Sequence, residues 1–302
     1  MYVSGLWWIG RAHFFLLLLV PGILGWGDEG HYATCKIAQG YLTEEALAAV
    51  KRLLPESAGG DLAAVCSWPD DVRRTPNYRW SAGLHFVNPP DFQCNYNYSR
   101  DCHDSAGNKD RCVSAAIYNY TLQLSTAYRN DSSVLESKYN LTEALLFLSH
   151  FIGDIHQPLH VGFVGDKGGN SIVVYWYQNK TNLHRVWDDM IIYSALNTFY
   201  DSDLTTMIQS IQRNITDGWL NEVSSWRTCP NNYIACPDPY ASESISLACK
   251  YAYKNATPGS TLGDDYFLTR LPIVEKRLAQ GGIRLAATLN RIFTHPSKIA
   301  VA

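Results

Sequence analysis

A chain of 302 residues with 46% hydrophobic and 18% charged side chains can bury a large core, which excludes a largely disordered protein. A formal net charge of −3 excludes a basic duplex-wrapping protein and a polybasic membrane binder. Eight Cys, nine His and nine Trp are the unusual counts, and the even Cys number fits pairing.

Residues 1–25 read as a secretory signal. Arg11 is their only charged residue, Phe14–Val20 is a short apolar run, and Gly25 is a small residue at the expected cut. The run is shorter than the roughly 20 apolar residues of a membrane span, so no membrane anchor is expected. Cleavage after Gly25 starts the mature chain at Trp26. All eight Cys follow that point, which fits an oxidising compartment: extracellular, vacuolar or derived from the endoplasmic reticulum. Seven glycosylation sequons, at Asn97, Asn119, Asn130, Asn140, Asn179, Asn214 and Asn255, fit the same route.

No internal repeat, low-complexity tract or linker divides the mature chain, so 26–302 is expected to be one domain. Tyr32–Tyr41 has a helical pattern. Thr43 is a candidate N-cap for a helix over Glu44–Leu54, with acids in its first turn and Pro55 as its stop. Asp61–Ser67 reads as a short helix, and the Asn-, Asp- and Tyr-rich stretch Cys94–Cys112 as a disulfide-held loop. Val113–Tyr128 and Leu141–Ile155 carry apolar residues at three- and four-residue spacing. The β-branched and aromatic stretch Ser171–Tyr177 predicts a strand of a small hairpin. Val186–Phe199, Leu204–Trp226, Ser242–Tyr253 and Tyr266–Phe293 return to helix, the last with a break near Pro272. The class is mainly α.

The chemistry-bearing run is His150-Phe-Ile-Gly-Asp154-Ile-His156-Gln-Pro-Leu-His160. On a helix, His150 and Asp154 stand at i and i+4, so an imidazole and a carboxylate share one face. Pro158 ends the helix and lets His160 fold back toward the same pocket. His184 and Asp188 repeat the spacing. Trp68-Pro-Asp70-Asp71, His85 and His31 lie upstream. Any one such pair is more often a satisfied core histidine or a plain hydrogen-bonded pair. Five His and three Asp in a chain with few charges are different, because burying them without a cation is costly. Imidazole and carboxylate ligands together suit Zn²⁺.

Trp26-x4-His31, the Trp-x-Asp-Asp-x-Arg run from Trp68 to Arg73, His85-Phe86, the run His150–His160 and His184-x3-Asp188 together resemble one pattern. It is that of the zinc-dependent single-strand-specific nucleases of fungi and plants, whose plant members are often called bifunctional nucleases. The resemblance spans essentially the whole mature chain. It implies a single-domain, largely helical fold with three Zn²⁺ in one cleft. Bacterial phospholipase C shares that fold, which makes a lipase the alternative activity. One zinc would take Asp70, His85, His150 and Asp154. A second would take the free amine and carbonyl oxygen of Trp26, with His31 and a bridging Asp154, which requires cleavage before Trp26. The third would take His160, His184 and Asp188.

The implied activity is endonucleolytic hydrolysis of single-stranded DNA and RNA to 5′-phosphorylated nucleotides, with removal of the phosphate of 3′-mononucleotides as a second activity. Zinc would lower the pKa of the attacking water and stabilise the departing 3′-oxygen. Asp70 would orient that water. Arg73 is a candidate phosphate clamp, its alternative being a salt bridge to Asp70 or Asp71. Phe86 would stack a base. Asn88 would bond a base edge, although fungal relatives carry an acid there. Asp189 stands where many relatives have Asn and is not expected to bind substrate. His156, His103 and His295 match no ligand. His156 either orients a ligand carboxylate or is a satisfied structural histidine. Spacing leaves the disulfide pairing open. The resemblance implies Cys35–Cys66, Cys94–Cys249, Cys102–Cys112 and Cys229–Cys236, a C-terminal tail trimmed after Phe293, and a monomer.

Overall fold

The computed structural model describes residues 26–129 and 139–294. The signal segment, Asn130, His295 and the tail lie outside the described residues. Helix α1 (Asp28–Gln39) starts four residues before Tyr32, with Asp28 and Glu29 in the first turn, where the helix dipole favours acids. Helix α2 (Glu44–Leu53) is capped by Thr43, whose side chain accepts from the Ala46 amide at 3.2 Å. A 3₁₀ turn at Leu62–Val65 replaces the expected Asp61–Ser67 helix, with Asp61 as its cap. Short α3 (Trp68–Val72) follows, and a second 3₁₀ segment, Arg79–Leu84, delivers His85. The Cys94–Cys112 loop contains α4 (Tyr98–Asp101) and one isolated antiparallel bridge, His103↔Lys109.

Helices α5 (Val113–Arg129) and α6 (Leu141–Asp154) pack against each other, and α6 is buried continuously from Ala144 to Asp154. Strands β1 (Val173–Trp176) and β2 (Asn179–Asn182) form the hairpin, in register Val173↔Asn182 to Trp176↔Asn179. Val174 and Trp176 face the core while Val173 and Tyr175 face outward. Helix α7 (Leu183–Arg185) runs through a widened π turn, Val186–Met190, into α8 (Ile191–Phe199).

The expected helix over Leu204–Trp226 divides into α9 (Leu204–Thr216) and α10 (Leu220–Arg227). Gly218 sits in the gap, where the entropic cost of helical glycine favours a turn. Helix α11 (Pro237–Leu247) starts earlier than Ser242, because Pro237 occupies the first turn, where its missing N–H is harmless. A π turn at Ala248–Ala252 continues it. Strand β3 (Thr261–Leu262) pairs parallel to β1; two residues are too short to carry a period.

Helix α12 (Asp264–Phe293) runs 30 residues without the expected break at Pro272. The carbonyl that Pro272 leaves unbonded belongs to Leu268, which is on the solvent side, so water can satisfy it. Helix α12 packs along α1, and a Cβ on Gly282 would stand 2.5 Å from Ile37 Cγ2, so only glycine permits this approach.

Four disulfides tie the loops to the core: Cys35–Cys66, Cys94–Cys249, Cys102–Cys112 and Cys229–Cys236, and no described cysteine is free. These are the four pairs that the resemblance implies. The architecture is mainly α with one small sheet, as expected. No described helix is long and apolar enough to cross a membrane. Asn97, Asn119, Asn140, Asn179, Asn214 and Asn255 are all exposed. Asn97 and Asn140 also cap α4 and α6, accepting from the amides of Arg100 and Glu143.

Candidate metal centre

The end of α6 supplies His150 and Asp154, the inner face of α1 supplies His31, and α3 supplies Asp70. His85 follows the second 3₁₀ segment. After α6 the chain turns through Ile155–Gln157 into a 3₁₀ turn, Pro158–Val161, that carries His160. His184 comes from α7 and Asp188 from the π turn behind it. All eight side chains are buried, and they form three groups whose ligating atoms lie within 4.8 Å of one another: His31 with Asp70 and His150, His85 with His150 and Asp154, and His160 with His184 and Asp188.

The two oxygens of Asp154 face different partners. Oδ1 is 3.3 Å from His31 Nε2, while Oδ2 is 3.0 Å from His85 Nδ1 and 3.1 Å from His150 Nε2. Asp70 also spans both sides, with Oδ1 3.4 Å from His85 Nδ1 and Oδ2 3.9 Å from His31 Nε2. In the third group, His184 Nε2 is 3.4 Å and His160 Nε2 is 3.8 Å from an Asp188 oxygen.

Backbone carbonyls aim three of these imidazoles. A carbonyl only accepts, so each facing Nδ1 carries the proton. His150 donates to Cys66 at 2.8 Å, His160 to His85 at 2.7 Å and His184 to Gly168 at 2.6 Å. Each bond turns Nε2 into its group. Gln157 orients Asp188, donating from Nε2 to Oδ1 at 2.6 Å. Spacing did not single out Gln157. Its one sequence signal is its place inside the His150–His160 run.

The residues fit a bound cation. His31 Nδ1 and Nε2, Asp70 Oδ1, His85 Nε2 and both Asp154 oxygens are buried without a hydrogen-bond partner among the described residues. Such carboxylates are costly unless a positive charge meets them. Burial opposes ionisation of Asp70 and Asp154, yet His150 and the neighbouring cationic groups hold both carboxyls well below the usual range. Burial likewise opposes charge on His150, but the Asp154 and Asp70 carboxylates push it up to about 10. Burial lowers His31, and lowers His85 to about 4. In the third group, burial and the neighbouring Asp189 push Asp188 well upward. The raised His150 and Asp188 groups express a demand for positive charge that a divalent cation meets, while the lowered His31 and His85 favour the neutral imidazole that ligates a metal.

Trp26 is fully buried beside this centre, and the next amide, Gly27 N, donates to the Asp188 carbonyl at 3.1 Å. Arg73 is also buried, with Nε 3.2 Å from Asp70 Oδ1 and Nη2 without a partner. Its pairing with Asp70 is therefore an interior one. Phe86 is half-buried next to His85, and Asn88 donates to the Gly162 carbonyl at 2.8 Å. Asp189 packs against Gly27, and burial lifts its carboxyl to about 6 despite Arg185. His156 points away from the groups, with Nδ1 bonded to the Ile152 carbonyl at 2.7 Å and Nε2 2.9 Å from Arg284 Nη1. Of its two readings, the structural one holds. His103 is exposed and bonds the Asp104 carbonyl.

Residues 26–294 match the family model described as S1/P1 Nuclease. The chain is 63% identical over 293 residues to Endonuclease 4 of Arabidopsis thaliana, covering 97% of each chain. It is 57% identical to Endonuclease 2 of the same plant, over 92% of this chain and 94% of the relative. With Nuclease P1 of Penicillium citrinum it shares 34% identity over 285 residues, 91% of this chain and all of the relative. Three buried His/Asp groups that could hold metal ions, on a mainly helical scaffold, thus coincide with a family match over nearly the whole described chain: the protein belongs to the S1/P1 nuclease family.

Proposed function

We propose that this nuclease is a secretory-pathway, zinc-dependent endonuclease that cleaves single-stranded DNA and RNA to 5′-phosphorylated nucleotides and also dephosphorylates 3′-mononucleotides. The observation that carries the reading is Asp154: fully buried, its two oxygens partnerless, and facing His31 on one side and His85 with His150 on the other. Asp70, His85, His150 and Asp154 would hold one zinc, Trp26, His31 and Asp154 a second, and His160, His184 and Asp188 a third. Zinc there supplies an acidified water and a Lewis acid for the phosphate oxygens.

The chain's own groups do the rest. Asp70 accepts from the attacking water and turns its lone pair toward phosphorus. The partnerless Nη2 of Arg73 donates to a phosphate oxygen. Phe86 offers a ring to an unpaired base, and Asn88, its Nδ2 held by Gly162, keeps its oxygen for a base edge. On the same strip Phe92 is 89% exposed, a further aromatic surface that single strands can use and a duplex, with its bases stacked inside, cannot.

Removal of residues 1–25 exposes the Trp26 amine, and the family match begins at this residue. Residues 26–302 then form one catalytic domain. Four disulfides and six exposed sequons support passage through the secretory route. The lipase alternative is not favoured, because the relatives are named endonucleases and nucleases.

The test is the purified mature protein with metal content, N-terminal mass spectrometry and turnover measured on single-stranded DNA, duplex DNA and phosphatidylcholine vesicles. Expected are a Trp26 start, about three zinc ions per chain and single-strand cleavage leaving 5′-phosphates. Fewer than about two zinc ions, or lipid cleavage without nucleic-acid cleavage, overturns the proposal.

A further inference from the structure

The turn Ile155–Gln157 is the chain link between two metal groups, since Asp154 precedes it and His160 follows it. Its inner side holds ligands: the Gln157 amide donates to the Asp154 carbonyl at 3.0 Å, and the Gln157 side chain donates to Asp188 at 2.6 Å. The Gln157 oxygen in turn accepts from the Leu159 amide at 2.5 Å, so both ends of this side-chain amide are held.

The outer side is held by α11 and α12. Ser244 Oγ donates to the Ile155 carbonyl at 2.5 Å. Arg277 Nε donates to the His156 carbonyl at 3.0 Å and Nη2 donates to Ser244 Oγ at 2.7 Å. Glu243 accepts from Arg277 Nη1 at 2.8 Å and from both terminal nitrogens of Arg284 at 2.6 and 2.7 Å. His156 closes the network through Arg284. Arg277 is 1% exposed and Ser244 is fully buried. Apolar side chains of similar volume commonly stabilise an interior as well as a buried ion pair does. What this network adds is direction: the Ile155 and His156 carbonyls are pinned from one side while the next residue reaches a ligand on the other.

We propose that Arg277 and Ser244 are positioning residues for the metal centre. By fixing the Ile155 and His156 carbonyls they set Gln157, and through it the relative placement of Asp154 and Asp188. The inference rests on the metal-dependent nuclease reading and adds residues outside the ligand set to it.

The test compares Arg277→Met, Ser244→Ala and Gln157→Leu with Arg270→Met. Arg270 is a buried arginine on the same helix that donates to the carbonyls of Tyr251 and Lys254, away from the turn. Each variant is assayed for melting temperature, for zinc retained after dialysis against graded chelator, and for kcat and KM on a single-stranded oligonucleotide. Arg277→Met and Ser244→Ala are expected to release zinc at about tenfold lower chelator and to lose about tenfold or more in kcat with KM nearly unchanged. Arg277→Lys, which keeps one donor for the His156 carbonyl, restores part of the retention. Arg270→Met lowers the melting temperature alone. Combining Ser244→Ala with Gln157→Leu gives less than the sum of the single effects, because both act through one turn.

If Arg277→Met and Ser244→Ala behave like Arg270→Met, with retention and kcat within about twofold of wild type, the inference is wrong. Should Arg277→Met not fold, Ser244→Ala decides, since it removes one hydroxyl. A wild-type protein without zinc or nuclease turnover refutes the functional reading itself. A wild-type enzyme that is active while these variants are unaffected refutes only the positioning role.

Discussion

Asp154→Asn is the most informative single substitution. The new side chain has the same shape, so the fully buried site keeps its packing, while one oxygen becomes an N–H donor and the negative charge is lost. The direction can be read from His150, whose imidazole is pushed up against the pull of burial, chiefly by Asp154 and then Asp70. Removing one partner of a buried pair of opposite charges costs about 3–5 kcal/mol. Allowing for relaxation around the new amide, neutralising Asp154 should weaken a singly charged occupant by at least about 2 kcal/mol, roughly thirtyfold, and a divalent one by more. Dialysis against graded chelator followed by metal analysis, with single-strand turnover in parallel, reads this directly. Zinc retention is expected to fall by at least about thirtyfold and turnover to near background. Wild-type retention and turnover in Asp154→Asn would falsify the placement of this carboxylate between two cations.

Gly153→Ala tests the same centre by shape. A Cβ there would stand 2.8 Å from His31 Nδ1 and 3.1 Å from Cε1, so metal retention should drop and stability should fall by about 1–3 kcal/mol, measured by denaturant unfolding. Adding one residue before Trp26 should lower zinc content and activity while far-ultraviolet circular dichroism stays unchanged; full activity would remove the Trp26 amine from the ligand set. His156 predicts acid sensitivity. Burial, with Arg277 and Arg284, holds its folded pKa well below 6.5, so only the unfolded chain takes up this proton as pH falls. Stability is unaffected above that value and lost below it by about 1.4 kcal/mol per pH unit, and His156→Gln should flatten the fall in melting temperature between about pH 6.5 and pH 5. Thr43→Ala removes the α2 cap and should cost about 1 kcal/mol with no change in zinc retention.

Local chemistry was legible in the chain. The Thr43 cap, the i,i+4 pairs His150–Asp154 and His184–Asp188, the hairpin and the apolar faces of α5 and α6 depend on neighbours a few residues away, which spacing reports. The motif set also named the eight side chains that the fold gathers. Breaks were less legible: Gly218 interrupts a helix that periodicity alone would continue, while Pro272 does not, because its orphaned carbonyl is on the solvent side.

Tertiary structure decided what shares a space and which way it points. His31, Asp70 and His85 reach His150 and Asp154 of α6 only because α1, α3 and the segment after Arg79–Leu84 pack around one helix end. His156 and His160 belong to one short run, yet His160 turns into the third group and His156 turns toward Arg284 and Glu243. The separation between them is set by Ser244 and Arg277, contributed by α11 and α12 from much later in the chain. Sequence spacing records distance along a helix. It carries no record of the long-range hydrogen bonds that turn one side of a short run toward the buried His/Asp groups and the other toward the core.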